Sequence, residues 1–144
     1  MPGTDIEHQD LANIRFLGTD SVDALWAENI LPRFLYREIC SVLEEWHRVL
    51  KPGGEISIEC PDLVTLCREF LDGDDIDRYL TIDPIIWGFY GTQVKKKAKR
   101  TLFGCGLTKS YLKHALEHSG FEDFSEGEPQ KKFYRSFVVK AKKK

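Results

Sequence analysis

The stretch Glu44–Asp62, EEWHRVLKPGGEISIECPD, constrains the fold of this chain more than any other. It reads as the end of an amphipathic helix, a Lys-Pro-Gly-Gly turn, a short apolar strand and an acid at the strand's end. Pro52 cannot continue a helix, and Gly53 and Gly54 permit the positive φ that swings the chain back. The strand, Ile56–Cys60 with Glu55 before it, stops at Pro61. A helix delivered by a tight turn into a strand is half of an α/β crossover. The helix feeding it, roughly 34–50, places Leu35, Ile39, Val42, Leu43, Trp46, Val49 and Leu50 at helical spacing. Burying each such side chain contributes about 1.5–3 kcal/mol before chain entropy is charged. On this reading Trp46 and Cys40 are core residues.

At 144 residues the chain is one domain, long enough to bury a core, and its 42% apolar and 31% charged content is that of a soluble globular protein. No run approaches the ~18 apolar residues of a membrane span. The opening MPGTDIEHQD is polar and acidic, unlike a secretory signal, which points to the cytoplasm. Cys40, Cys60, Cys67 and Cys105 make no C-x-x-C pair, so buried, reduced thiols are expected. Charge is uneven: residues 1–93 carry 7 basic and 18 acidic side chains, whereas residues 94–144 carry 14 basic and 5 acidic. Such asymmetry suits either an anionic partner or two halves that attract each other.

Taken in order, residues 1–21 read as a loop segment, and Val22–Ala27 as a strand apolar enough to be covered on both faces. Glu28-Asn29 follows at its C-terminal end, the edge of an open α/β sheet where ligands bind. Pro32 suits a helix start, where its missing N–H costs nothing. After the second strand, Asp62 opens a helix over Leu63–Leu71, either as a partner of the helix dipole or as a pocket wall. A second short helix covers Pro84–Tyr90, whose Trp87, Phe89 and Tyr90 form an aromatic cluster that also suits a subunit contact. Lys95–Arg100 is a basic loop, read as a solvated segment or as an anion site for phosphate, nucleic acid or a nucleotide-sugar; it has no interleaved aromatics, so specific base recognition is not expected. Thr108 caps a helix over Lys109–Ser119, which Gly120 stops. His114 and His118 sit four residues apart in an H-x-x-E-H pattern, but on the polar face opposite Leu112, Ala115 and Leu116, and no metal is assigned to them. Phe121–Glu126 and Phe133–Lys140 read as strands, and Lys140–Lys144 as a solvated tail.

Several of these segments carry a resemblance. RVLKPGG followed by a strand and Pro-Asp resembles the class I S-adenosylmethionine-dependent methyltransferases, in particular the type 11 small-molecule branch. Asp10-Leu11 before Ile14-Arg15-Phe16 looks like the segment after that family's third strand, and Val22–Ala27 like its fourth strand. Tyr90-Gly91-Thr92-Gln93 matches a pattern in its substrate lid, and KSYLKHALEHSGF (109–121) its late helix before the sixth strand. The similarity spans roughly residues 6–140 in the right order. The family's Gly-rich cofactor loop and ribose-holding acid precede the Asp10 equivalent by fifty residues or more; only nine residues stand before it here. The resemblance is therefore to the C-terminal half of the fold.

That resemblance implies an α/β, Rossmann-like sheet with strands equivalent to 4-5-7-6, the last pair antiparallel, and flanking helices. It implies one truncated domain over 1–144: a loop segment (1–21), a strand-helix-strand core (22–60), a helical lid with the basic loop (61–107), and a helix with two strands (108–140). S-adenosylmethionine is the implied cofactor, flanked by Asp10 and Leu11 and lined by Glu28, Asn29 and Ile30. Tyr90, Gln93 and Lys95 would meet a small-molecule or saccharide-type acceptor. Catalysis would need another chain to supply the missing loop. The alternatives are a non-catalytic remnant that dimerises or binds a partner, and non-specific anion or nucleic-acid binding through the basic loop. Without strands one and two, Val22–Ala27 would present an unpaired edge, which a homodimer, a chain carrying the missing half, or the N-terminal segment folded over it would cover.

Overall fold

The computed structural model describes residues 14–73, 84–91, 102–130 and 135–144. Asp10, Leu11, Gln93, Lys95 and the rest of the basic loop lie outside the described residues. The elements run β1 (Val22–Glu28), a 3-10 turn (Leu31–Arg33), α1 (Tyr36–Val49), β2 (Leu50–Pro61), α2 (Leu63–Leu71), α3 (Pro84–Tyr90), α4 (Lys109–His118), β3 (Phe121–Gly127) and β4 (Ser136–Lys143). The sheet order is β1-β2-β4-β3. β1 and β2 are parallel, and β4 runs antiparallel to both β2 and β3. This is the expected 4-5-7-6 arrangement with its antiparallel last pair.

The core lies on one face of the sheet. Register puts Leu25 beside Ile56 and Ala27 beside Ile58, then Ile56, Ile58 and Cys60 beside Ala141, Val139 and Phe137. Ile39, Val42, Leu43, Trp46 and Val49 of α1 and Leu112 and Leu116 of α4 pack into the same cluster, along with Phe121. The helical stripe read from the sequence is thus the buried face of α1. Cys40 departs from that reading. It is exposed, because one residue past Ile39 turns it about 100° off the stripe. Leu35 also lies outside the core, 42% exposed as the cap residue of α1, its N–H donating to Glu38 Oε2 at 2.7 Å. Cys67 is exposed as well, so only Cys60 and Cys105 are buried thiols; all four are free.

The opposite face is mixed. The Trp26 side chain is 51% exposed and Ala24 is exposed beside it, so β1 is not covered on both faces as its composition suggested. Alternation along the strand sends Leu25 and Ala27 inward and these two outward. On that face Glu55, Lys142 and Glu122 lie side by side on β2, β4 and β3, an alternation of charge that favours the pairing.

Two other readings are corrected. The Lys-Pro-Gly-Gly segment is not a turn separating helix from strand. It belongs to β2, as an irregularity in which the register jumps from Val22↔Leu50 to Ala24↔Glu55, with Gly53 at φ 77°. The last residues are no solvated tail. β4 extends to Lys143, Ala141 is buried, and Lys143 Nζ donates to Asp20 Oδ1 at 2.7 Å and to the carbonyl of Leu50 at 2.9 Å. The lysines concealed a strand because their stems can lie along apolar surface while the ammonium stays polar. Lys143–Asp20 and Arg135–Glu69, both at 2.7 Å, tie the basic C-terminal part of the chain to the acidic N-terminal part.

Candidate functional site

The carboxyl ends of β1 and β2 lie side by side, Glu28 opposite Glu59. After β1 the chain turns at Asn29, which takes the left-handed conformation (φ 52°) that Asn tolerates better than most residues. Its N–H donates to the carbonyl of Glu59 at 2.8 Å, carrying the parallel pairing one step past the strand. The Asn29 side chain is buried, at 7% exposure, and its Oδ1 has no partner among the described residues. An orphaned buried acceptor costs free energy unless something satisfies it. Ile30 leads into the 3-10 turn, where Pro32 stands in the first turn as its missing N–H predicts.

After β2, Asp62 starts α2. Its carboxylate accepts from the N–H of Val64 at 3.1 Å and from the hydroxyl of Thr65 at 3.0 Å, so Asp62 is a helix cap. A parallel bridge joins Asp62 to Leu107, and Leu63 N–H donates to the Leu107 carbonyl at 3.1 Å. The Pro32 carbonyl accepts from Gly104 N–H at 2.7 Å and Cys105 N–H at 3.2 Å. The Tyr36 hydroxyl donates to the Gly106 carbonyl and accepts from its N–H. Residues 104–107 are thereby strapped between the 3-10 turn, the start of α1 and the start of α2.

These elements and α3 enclose a pocket of about 130 Å³ lined by Pro32, Tyr36, Pro61, Leu63, Leu66, Gly88, Phe89, Tyr90, Cys105, Gly106 and Leu107. Helix α3 comes this close because Gly88 faces Leu66: a Cβ there would sit 2.5 Å from Leu66 Cδ2. Tyr90, expected to meet substrate, is on the pocket wall and 55% exposed. Glu28, Asn29 and Ile30 stand together at the end of β1 but do not line this pocket. Tyr36, Phe89 and Cys105 were missed as site residues. Phe89 belonged to a visible aromatic cluster, whereas Tyr36 and Cys105 are seventy residues from their partners and left no local signal.

Neither buried thiol among the described residues is an activated nucleophile. Burial pushes the Cys105 thiol up to about 11, and burial, followed by the proximity of Cys105 and Glu59, holds Cys60 well above its usual value. Both are thiols rather than thiolates at neutral pH. His114 and His118 stack at 5.4 Å on the exposed face of α4, and among the described residues no three His, Cys, Asp or Glu side chains gather as a metal site.

No family model and no curated protein matches this sequence. Solved structures do. An S-adenosylmethionine-dependent methyltransferase from Methanosarcina mazei matches 94% of this chain and 65% of its own at 19% identity and TM-score 0.60. One from Thermotoga maritima matches 93% and 61% at 18% identity and TM-score 0.58. The 1,6-didemethyltoxoflavin-N1-methyltransferase of Burkholderia thailandensis, solved with S-adenosylhomocysteine and 1,6-didemethyltoxoflavin bound, matches 92% and 48% at 16% identity and TM-score 0.55. The chain spans less than two thirds of the length of each. The mixed sheet, the β1-β2-β4-β3 order and these likenesses together give the chain the fold of class I S-adenosylmethionine-dependent methyltransferases, with its strands in the places of that fold's fourth to seventh.

Proposed function

We propose that this chain forms the acceptor side and one wall of the cofactor cleft of an S-adenosylmethionine-dependent methyltransferase acting on a small molecule. The observation that carries this reading is the buried, unpartnered Oδ1 of Asn29 at the carboxyl end of β1, the place where an open α/β sheet binds ligands. A cofactor rich in hydroxyl and ammonium donors suits that acceptor. When bound, S-adenosylmethionine supplies an electrophilic methyl group, so the protein's contribution is alignment and exclusion of water, and no protein nucleophile is required. Glu28, Asn29 and Ile30 line the cofactor's side, with Asp10 and Leu11 flanking its adenine. Tyr90 bounds the acceptor's side, joined by Gln93 and Lys95. The Gly-rich loop comes from a segment outside these 144 residues. Titration calorimetry with S-adenosylmethionine tests the reading: weak saturable binding is expected, reduced in Asn29→Ala. No saturable heat up to millimolar cofactor, a Kd worth about −4.1 kcal/mol, refutes it for this chain.

A second reading concerns assembly. β1 is the outer strand of the described sheet and carries the half-exposed Trp26. We infer that this edge is covered by association, with two copies pairing β1 antiparallel about a two-fold axis. Light scattering should give a dimer, and Trp26→Lys a monomer; a monomeric parent at all concentrations overturns it.

A further inference from the structure

The pocket beside α3 has a chemistry that narrows the acceptor class, and this inference rests on the methyltransferase reading only for the word acceptor. None of the described residues that line it is charged. Its walls are two prolines, three leucines and the rings of Phe89, Tyr36 and Tyr90. Of the polar groups that reach it, the Tyr36 hydroxyl is held by both backbone groups of Gly106 and the Pro32 carbonyl by two N–H groups, while the Tyr90 hydroxyl stands at the half-exposed rim. Cys105, with its Sγ 3.9 Å from the Pro32 carbonyl, offers only a neutral thiol. A saccharide brings several hydroxyls, each needing a partner once it leaves water, and among the described lining side chains only the Tyr90 hydroxyl and the Cys105 thiol are left to meet them. An apolar ring brings no such demand. The volume of about 130 Å³ is close to the ~150 Å³ of an apolar cavity able to hold benzene.

We propose that this pocket binds a single uncharged aromatic ring, so that the acceptor is a ring-bearing small molecule rather than a saccharide or a phosphorylated compound. Leu66 and Leu107 form the apolar walls against it, and Phe89 and Tyr90 supply aromatic faces and edges. Tyr90, at the rim, leaves an opening through which the rest of the acceptor extends.

The test is an amide-resolved NMR titration of the whole chain with toluene and phenol, against methyl glucoside and inorganic phosphate as polar comparators. Saturable shifts at Leu66, Phe89, Tyr90, Cys105 and Leu107 with the ring compounds alone are expected. Tyr90→Ala, at an exposed position, should weaken ring binding about two- to tenfold. Cys105→Leu should abolish it by filling the volume. Absence of ring binding to the parent protein overturns the proposal whatever the variants do, as does binding of methyl glucoside or phosphate at these residues. The titration contains no S-adenosylmethionine. Ring binding without cofactor binding would therefore leave the pocket standing and remove the methyl-transfer reading, and the reverse result would do the opposite.

Discussion

Asn29 donates its backbone N–H to the Glu59 carbonyl at 2.8 Å while its own side-chain oxygen, buried beside that bond, has no partner among the described residues. The main chain here serves the sheet, and the side-chain oxygen makes no bond among the described residues. Asn29→Gly keeps the backbone bond, relaxes the left-handed φ of 52° and removes the orphaned acceptor. Stability should hold or rise by up to about 1 kcal/mol, while affinity for S-adenosylmethionine falls about tenfold. Urea unfolding and calorimetric titration of the same preparation check both halves; a large loss of stability would make Asn29 a structural residue instead.

Two glycines with nearly the same positive φ separate backbone strain from steric contact. Gly53, at φ 77°, has nothing within 4 Å of a built Cβ, whereas Gly120, at φ 91°, would place its Cβ 2.8 Å from His47 Nε2. The His47 ring is held edge-on against Phe121 at 5.1 Å and cannot retreat freely. Gly53→Ala should cost about 1 kcal/mol, the left-handed penalty alone. Gly120→Ala should cost about 2–3 kcal/mol, with the overpacking added. Equal losses in denaturant midpoints would show that the histidine moves aside.

His47 also sets a pH response. Burial, and then the charge of Lys143, lower its folded-state pKa below the usual 6.5, against opposing contributions from the Gly120 backbone and Asp20. The folded state therefore prefers the neutral ring. Its contribution is full above the unfolded value near 6.5 and is lost as pH falls through the lower folded value. Glu45, lowered chiefly by its hydrogen bond to Arg48, responds only below about 4.5 and leaves this window clear. Urea midpoints should decline from pH 7 to pH 5, and His47→Gln should flatten that decline. An unchanged slope in the variant would assign the effect to another group.

Wherever one segment's pattern decided its own structure, the fold was legible. The stripe from Ile39 to Val49, the Thr108 cap, the helix start at Asp62 and the Gly120 stop are local signals read through periodicity and capping chemistry, and each stands where it was expected. The sheet order came through resemblance, since nothing in a strand's own residues says which neighbour it takes. The site was only partly legible. Glu28, Asn29 and Ile30 share the end of β1 because they are consecutive, and Tyr90 reached the pocket as part of a visible aromatic run. The Tyr36–Gly106 and Pro32–Cys105 contacts join residues some seventy positions apart, and no periodicity encodes them. The C-terminal lysines misled for a related reason. Their charge dominated the local reading, while Phe137, Val139 and Ala141 between them, facing inward at alternate positions, carried the strand.

That last strand yields the sharpest stability test. Residues 140–143 pair with Ser57, Ile56 and Glu55 on one side and with Ser125, Glu122 and Phe121 on the other, so β4 is central to the sheet and not its fringe. Removing residues 140–144 takes away both ladders at this end along with buried Ala141, and should abolish cooperative thermal unfolding. Lys143→Ala removes only the bonds to Asp20 and the Leu50 carbonyl and should cost about 1 kcal/mol, since Asp20 is itself half exposed. Lys144→Ala, just past the strand and exposed, should stay within about 0.5 kcal/mol of the parent. A truncated chain that melts cooperatively at the parent temperature would return residues 140–144 to the status of a tail.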